Sequence, residues 1–412
     1  MSPKVTIPRK KSCGNCFKSK LRCDLRKPSC TRCENRKWDC AYTTGANPPS
    51  EEDGAEENDN LSGPPSLASQ AGRLDLHAKY IDPQANSPSS VPRNNRPNTS
   101  SHITSIRPSE ILDFSGIQLI CTVDAHRIRV RWLESLLPSI DQRPKPFQPA
   151  TMSFIGSIFK SYPSMFVAGD CPPFIHWSQV KGKAMCLPLE NCMNISRMWT
   201  AQTAGSADMV REVIEQEMHK LFEKRAHCGH LELLATFQAY LLYAIMLFSS
   251  TLSTGSIRQD IIMRLQELAG DAAGKGTLCY AETEGTRPDW ESWIIASAKR
   301  RTLFATSLFD NLVNFSQGSP SFAAVELAGL PAPASKALWN AQTRESWNRA
   351  YNQQLSHSGD GELLISDLWP HSQANSEALQ PKIDRWLSSV DEFGMMIYAV
   401  TSHTYKHNDS CA

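Results

Sequence analysis

The sequence predicts a small two-helix module at the N-terminus, a disordered linker, and a mainly α-helical domain that fills the rest of the chain. Three observations carry this. Six of the thirteen cysteines fall at 13, 16, 23, 30, 33 and 40. Residues 44–110 are rich in Ser, Pro, Asn and Gly. From about residue 111 apolar side chains recur at helical spacing, and no convincing run alternates as a strand would. The expected boundaries are therefore 1–43, 44–110 and 111–412. At 412 residues the chain is long enough for such a division.

The first element is basic. The whole chain carries a formal net charge of +1, yet residues 1–40 hold 12 Lys/Arg against Asp24, Glu34 and Asp39. A block of this kind meets an anionic partner such as nucleic acid, or is simply a solvated basic end. The N-terminal "MSPKVTIPRKK" has no apolar run of signal-peptide length, so the expected setting is a reducing intracellular compartment. There, clustered cysteines bind metal more readily than they form disulfides.

The cysteines repeat as C-x2-C-x6-C, six residues, then C-x2-C-x6-C, making "CGNCFKSKLRC" and "CTRCENRKWDC" two copies of one unit. Each C-x2-C turn offers two thiolates to one metal, and six residues, about one and a half helical turns, return the chain with a third. Closed structural zinc sites take four ligands. Two Zn(II) ions therefore need eight sulfur positions, which six cysteines supply if two of them bridge. The equivalent first cysteines, Cys13 and Cys30, are the natural bridges. One zinc then takes Cys13, Cys16, Cys23 and Cys30, and the other takes Cys30, Cys33, Cys40 and Cys13. A single zinc on Cys13, Cys16, Cys30 and Cys33 is the simpler alternative, but it leaves the matched Cys23 and Cys40 unexplained. Either way the module is zinc-stabilised, because so few residues enclose almost no core.

Between the first cysteines stand Lys18, Lys20 and Arg22. On a helix, positions two apart lie about 200° around the axis, so Lys18 and Arg22 share a side and Lys20 faces away. One side can lie on phosphates while the other reaches base edges, where a lysine amine pairs with guanine acceptors in the major groove. The alternative is that all three only solvate an anionic cluster.

On these residues the segment 13–43 resembles the zinc binuclear cluster of fungal transcription factors. All six cysteines match, as do Lys20 and Arg22 ahead of Cys23 and Pro28 between the halves. Phe17 and Ser19 depart from it, standing where the family commonly has basic residues. The resemblance implies two Zn(II) per chain, a nuclear location, double-stranded DNA with CGG-type sites as partner, and a base contact by Lys20. In the second half Arg32, Arg36 and Lys37 are expected to contact phosphate, with Trp38 packed beside the cluster. "PRKK" (8–11) reads as an import signal, a phosphate-binding arm or an unbound tail.

The linker contains nine prolines and "EEDGAEENDN", six acids without a base. It cannot bury enough apolar surface to offset the entropy of ordering. Leu67, Leu74 and Ile81 recur at sevens but stop at Pro83, short of a coiled coil; they give a homodimer marginal support.

In the large domain, "TVDAHRIRVRWLESLLPS" has Asp124 as a plausible N-cap and stops at Pro138. "ADMVREVIEQEMHKLFEKR" sets Val210, Val213, Ile214, Met218 and Leu221 on one stripe, and "IRQDIIMRLQELAG" ends in a glycine suited to a left-handed cap. "LELLATFQAYLLYAIMLF" (231–248) has the length of a membrane span, but Glu232, Gln238 and the lack of a close positive C-terminal flank favour a central buried helix. "PPFIHWSQ", "DWESWIIASAKRRTLFATSLF" and "LPAPASKALWNAQTRESW" resemble segments of the helical regulatory region that follows such clusters in filamentous fungi. The stripe Trp290, Trp293, Leu303 and Phe304 reads as core.

No catalytic residues are expected: G-x-S-x-G, Walker, G-x-G-x-x-G and H-E-x-x-H patterns are missing from the sequence. "HCGH" (227–230) reads as a helix-start turn rather than a metal site, and His403 and His407 rank no higher. The leading reading is a sequence-specific transcription factor, an activator of a fungal specialised-metabolite gene cluster, working with the transcription machinery and without a membrane. The alternative is a zinc-stabilised co-regulator that binds a protein partner without reading DNA.

Overall fold

Residues 230–251 are apolar on every side, and the helix they form is the centre of the large domain. The computed structural model describes residues 13, 15–16, 23–40, 112–138, 142, 144–181, 185–251, 257–357, 361–369 and 373–402. The expected linker 44–110, the heptad positions, "PRKK", His403 and His407 lie outside the described residues. The chain divides into two units, 1–100 and 101–412. In the first, the described helix α1 spans Thr31–Asn35.

The second unit is built from α2 (Ala125–Val130), α3 (Pro149–Ala168), α4 (Leu187–Thr200), α5 (Ala207–Lys224), α6 (His230–Thr251), α7 (Gln259–Gly274), α8 (Tyr280–Thr283), α9 (Trp290–Ser316), α10 (Lys336–Trp339), α11 (Arg344–His357), α12 (Gln373–Ser389) and α13 (Glu392–Ser402). Only two isolated bridges, Ile120 with Leu278 and Pro331 with Leu364, pair extended backbone among the described residues. α6 touches α3, α4, α5, α7 and α9. Although α6 is long and apolar enough to cross a membrane, 89% of its most apolar window is buried within the protein. Its buried Gln238 is satisfied there, donating to the Phe174 carbonyl at 2.7 Å and accepting from Gln179 at 2.8 Å, so the polar group that argued against a membrane has partners in a protein core.

Several local expectations hold. The Asp124 carboxylate accepts from the His126 and Arg127 N–H groups at 2.9 and 3.2 Å and caps α2. Val210, Ile214, Met218 and Leu221 are buried on α5, with Val213 half-buried beside them. Trp290, Trp293, Leu303 and Phe304 are core. Two expectations fail. The 122–139 segment is helical only to Val130, followed by a 3-10 turn at Arg131–Leu133, and it leaves Leu136 and Leu137 exposed. Gly270 is not a cap: α7 runs on to Gly274, and a Cβ at Gly270 would stand 2.8 Å from the Ala125 carbonyl oxygen. Glycine is there because α2 lies directly on α7; the left-handed residue is Gly276, with φ 94°.

Candidate metal centre and nucleic-acid interface

The second cysteine unit shows how the chain returns a third sulfur. Cys30 caps α1, its Sγ accepting from the Cys33 N–H at 3.4 Å. α1 closes with the Lys37 N–H donating to the Glu34 carbonyl (3.2 Å) and the Trp38 N–H to the Cys33 carbonyl (2.9 Å). This is a Schellman motif with Lys37 at its left-handed position, φ 52°. A lysine there has a Cβ in the crowded region that glycine avoids. The reversal brings Cys40 home: the Cys30 N–H donates to Cys40 Sγ at 3.2 Å. The first unit repeats the contact seventeen residues earlier, Cys13 N–H to Cys23 Sγ at 3.5 Å.

The sulfurs gather into two sets of four, Cys13, Cys16, Cys23 and Cys30, and Cys13, Cys30, Cys33 and Cys40, each with all members within 4.8 Å of one another. Cys13 and Cys30 belong to both. Sγ separations are 3.7 Å for Cys13–Cys30, 3.6 Å for Cys13–Cys33 and 3.7 Å for Cys16–Cys30. A tetrahedron with zinc–sulfur bonds of about 2.3 Å has edges of about 3.8 Å, so the donor set fits the ion. Burial pushes the Cys16 thiol up to about 12 and raises Cys33 as well. Crowded, buried sulfurs of this kind ionise only beside a cation, and a soft divalent metal supplies it.

Two polar braces tie the halves together, and the sequence reading missed both. The Asp24 carboxylate accepts from the Thr31 hydroxyl (2.6 Å) and N–H (3.2 Å), and the hydroxyl is the main reason its acidity is strengthened. Asn15 Nδ2 donates to the Asp39 carbonyl at 2.7 Å. An acid directly after the third cysteine and a hydroxyl directly after the fourth were the available signal.

Of the expected DNA contacts, Lys18, Lys20 and Arg22, with Phe17 and Ser19, lie outside the described residues. Arg36 and Lys37 are exposed and Arg32 is half-buried. Arg32 and Arg36 line a recess of about 390 Å³ with Asp24, Thr31 and Asn35, and Arg32 Nη1 is buried without a hydrogen-bond partner. Trp38 is 37% exposed, with the Arg36 guanidinium 5.1 Å from its ring centre, and the buried centre of the module consists of cysteines. Sulfurs fill the interior, so the indole is left outside to hold Arg36.

The large domain shows no second metal cluster among the described residues. Cys228 ends a 3-10 turn and His230 opens α6, where its Nδ1 lies 3.3 Å from Lys299 Nζ. What sequence reading did not find is buried charge. Arg301 pairs with Asp391 at 2.7 Å, and Arg131 with Glu326 at 2.7 Å and Asp310 at 3.4 Å. The "AKRRT" stretch places Lys299, Arg300 and Arg301 inside α9, all buried.

With this geometry, the comparisons agree. The family described as fungal Zn(2)-Cys(6) binuclear cluster domain matches residues 11–48. The chain is 22% identical over 372 residues to transcription factor gsfR2 of Penicillium aethiopicum, covering 84% of each chain. No solved structure matches. The six clustered cysteines form a binuclear site of this type, which implies two zinc ions.

Proposed function

We propose that this chain, whose residues 11–48 match the fungal Zn(2)-Cys(6) binuclear cluster domain and which is similar over most of its length to a fungal transcription factor, is a non-enzymatic transcription factor that reads CGG-type sites in double-stranded DNA. In the nucleus it activates a gene cluster, a specialised-metabolite set in this reading. The observation that carries the DNA-binding role is the pair of four-sulfur sets sharing Cys13 and Cys30. Cys13 and Cys30 bridge; Cys16 and Cys23 complete one zinc site and Cys33 and Cys40 the other. The metals supply folding energy rather than chemistry and hold both halves at a fixed angle.

Lys20 contacts the bases, while Lys18, Arg22, Arg32, Arg36 and Lys37 grip phosphate. The unpartnered Arg32 Nη1 and the recess it shares with Arg36 support this division, since a phosphate oxygen would satisfy a donor that has no partner of its own. Recruitment of the transcription machinery falls to the rest of the chain, and homodimerisation would let two modules read paired triplets.

The test titrates the full zinc-loaded chain against duplexes with an intact or scrambled CGG triplet at several salt concentrations. Lys20→Ala should cost about 1–3 kcal/mol on the intact triplet alone. Arg36→Ala should weaken both duplexes alike and lower the salt slope by about one. Equal wild-type affinity for both duplexes would sink the reading and leave a co-regulator. Zinc counts test the bridges: Cys13→Ala should release both ions and Cys16→Ala mainly one.

A further inference from the structure

α11, α12, the non-helical segment 332–335 and the start of α10 line a cleft of about 700 Å³ that no part of the DNA-binding reading uses. Its floor is fixed by backbone pairing: the Ala332 N–H donates to the Leu363 carbonyl and the Ile365 N–H to the Leu330 carbonyl, both at 2.8 Å. Gly361 makes the turn at its edge with φ 76°. Trp386 forms part of one wall. Its Nε1 donates to the Pro333 carbonyl at 2.8 Å and its ring meets Tyr398 at a centroid distance of 6.4 Å, so the indole is held before anything enters.

The lining divides by chemistry. Ala332, Pro333, Ala350, Leu363 and Val390 join Trp386 as an apolar surface. Lys336, Lys382 and Arg385 bring three cations against one lining carboxylate, Glu362. Lys382 Nζ donates to the Glu362 carbonyl at 3.0 Å, while Lys336 pairs with Glu392, outside the cleft lining, at 3.0 Å. Volume, a held aromatic wall and cations in the lining are the features of a small-molecule site for an amphipathic anion.

We propose that this cleft binds a ring-bearing organic acid of drug-like size, its carboxylate or sulfonate facing Lys382 and Arg385 and its rings on Trp386. Val390 lies next to Asp391, the partner of buried Arg301, so an occupant bears on the joint between α12 and α13. The inference does not depend on how the cysteine module meets DNA.

The test uses two fluorescent probes with the same rings, 8-anilinonaphthalene-1-sulfonate and its neutral counterpart N-phenyl-1-naphthylamine, titrated into the full zinc-loaded chain. The sulfonate should bind one saturable site at least about tenfold more tightly, the worth of one well-placed charge pair. Lys382→Gln with Arg385→Gln should bring the two probes level, and Ala350→Trp should exclude both. Should Ala350→Trp misfold by circular dichroism, Ser389→Trp fills the cleft from the opposite wall. Equal affinity of the two probes for the wild type, or binding that survives the folded tryptophan variant, overturns the proposal.

Discussion

Among the described residues of the cysteine module the fully enclosed side chains are Cys13, Cys16, Cys30 and Cys33, whereas α9 alone encloses Trp290, Trp293, Ile294, Ile295, Phe309 and three cations. Both regions exclude water from a centre. In the module the centre is six sulfurs, which can stand together as thiolates only with a metal to neutralise them. In the helical domain it is apolar area, with buried Arg300 and Arg301 paired to Glu282 and Asp391 and buried Lys299 held by the Lys275 and Gly276 carbonyls. The difference teaches where stability is stored: in a few coordinate bonds on one side, and over many contacts on the other. Removing one component should therefore be catastrophic in the module and graded in the domain.

Chelation makes the largest test. Structural zinc in small modules is worth about 10–16 kcal/mol. A strong chelator should abolish amide-exchange protection over residues 23–40 and leave α6 and α9 protected, read by hydrogen-exchange mass spectrometry. Loss of protection in both regions would break the comparison.

The second concerns a single buried pair. Arg301 donates to the Pro173 carbonyl at 2.9 Å, lies 4.2 Å from the Trp339 ring centre and pairs with Asp391, which also accepts from the Gly394 N–H at 3.1 Å. Asp391→Ala strands a buried guanidinium and uncaps α13, and should cost about 3–5 kcal/mol in urea unfolding of the helical domain. Bound zinc should stay at two per chain. A double change to Arg301→Met and Asp391→Leu should recover much of the loss.

Acid sharpens the contrast further. His176 is buried against Trp339 at 4.9 Å, and burial pulls it down to about 3 from an ordinary 6.5. The folded chain keeps this ring neutral while the unfolded chain protonates it below 6.5, so falling pH favours unfolding from 6.5 toward 3. At about pH 4.5 the loss should be roughly 3 kcal/mol. His176→Gln should flatten that part of the stability profile, followed by tryptophan fluorescence of the helical domain.

The smallest effect lies in the module. Lys37→Gly relieves the left-handed strain and should raise module stability by about 1 kcal/mol, measured as a shift in the zinc-chelation midpoint. If Lys37 grips phosphate, the same variant should weaken intact and scrambled DNA equally.

The metal centre was readable because its ligands are local and repeated. Spacing alone paired Cys13 with Cys30, and the structure shares those two between its sulfur sets. The large domain was readable as helical, and α6 as buried, because periodicity and composition act within one segment. Gly270 was misread because a glycine near the end of an apolar pattern signals a cap in sequence, while its actual reason, α2, lies about 140 residues away along the chain. How far Trp38 is covered was not legible, because only the folded module shows that the sulfurs fill its interior and leave the indole 37% exposed.

By itself the sequence determined the six-cysteine centre, the basic character of the module and the helical class of the domain. Each follows from ligand spacing, charge or period within a short window. Tertiary structure alone decided that Lys299, Arg300 and Arg301 lie inside, that Asp24 braces Thr31, and that Trp386, Lys382 and Arg385 share one cleft with Ala332. A charged side chain can be buried wherever a distant partner compensates its desolvation. That partner is set by how the helices pack, and no local pattern records it.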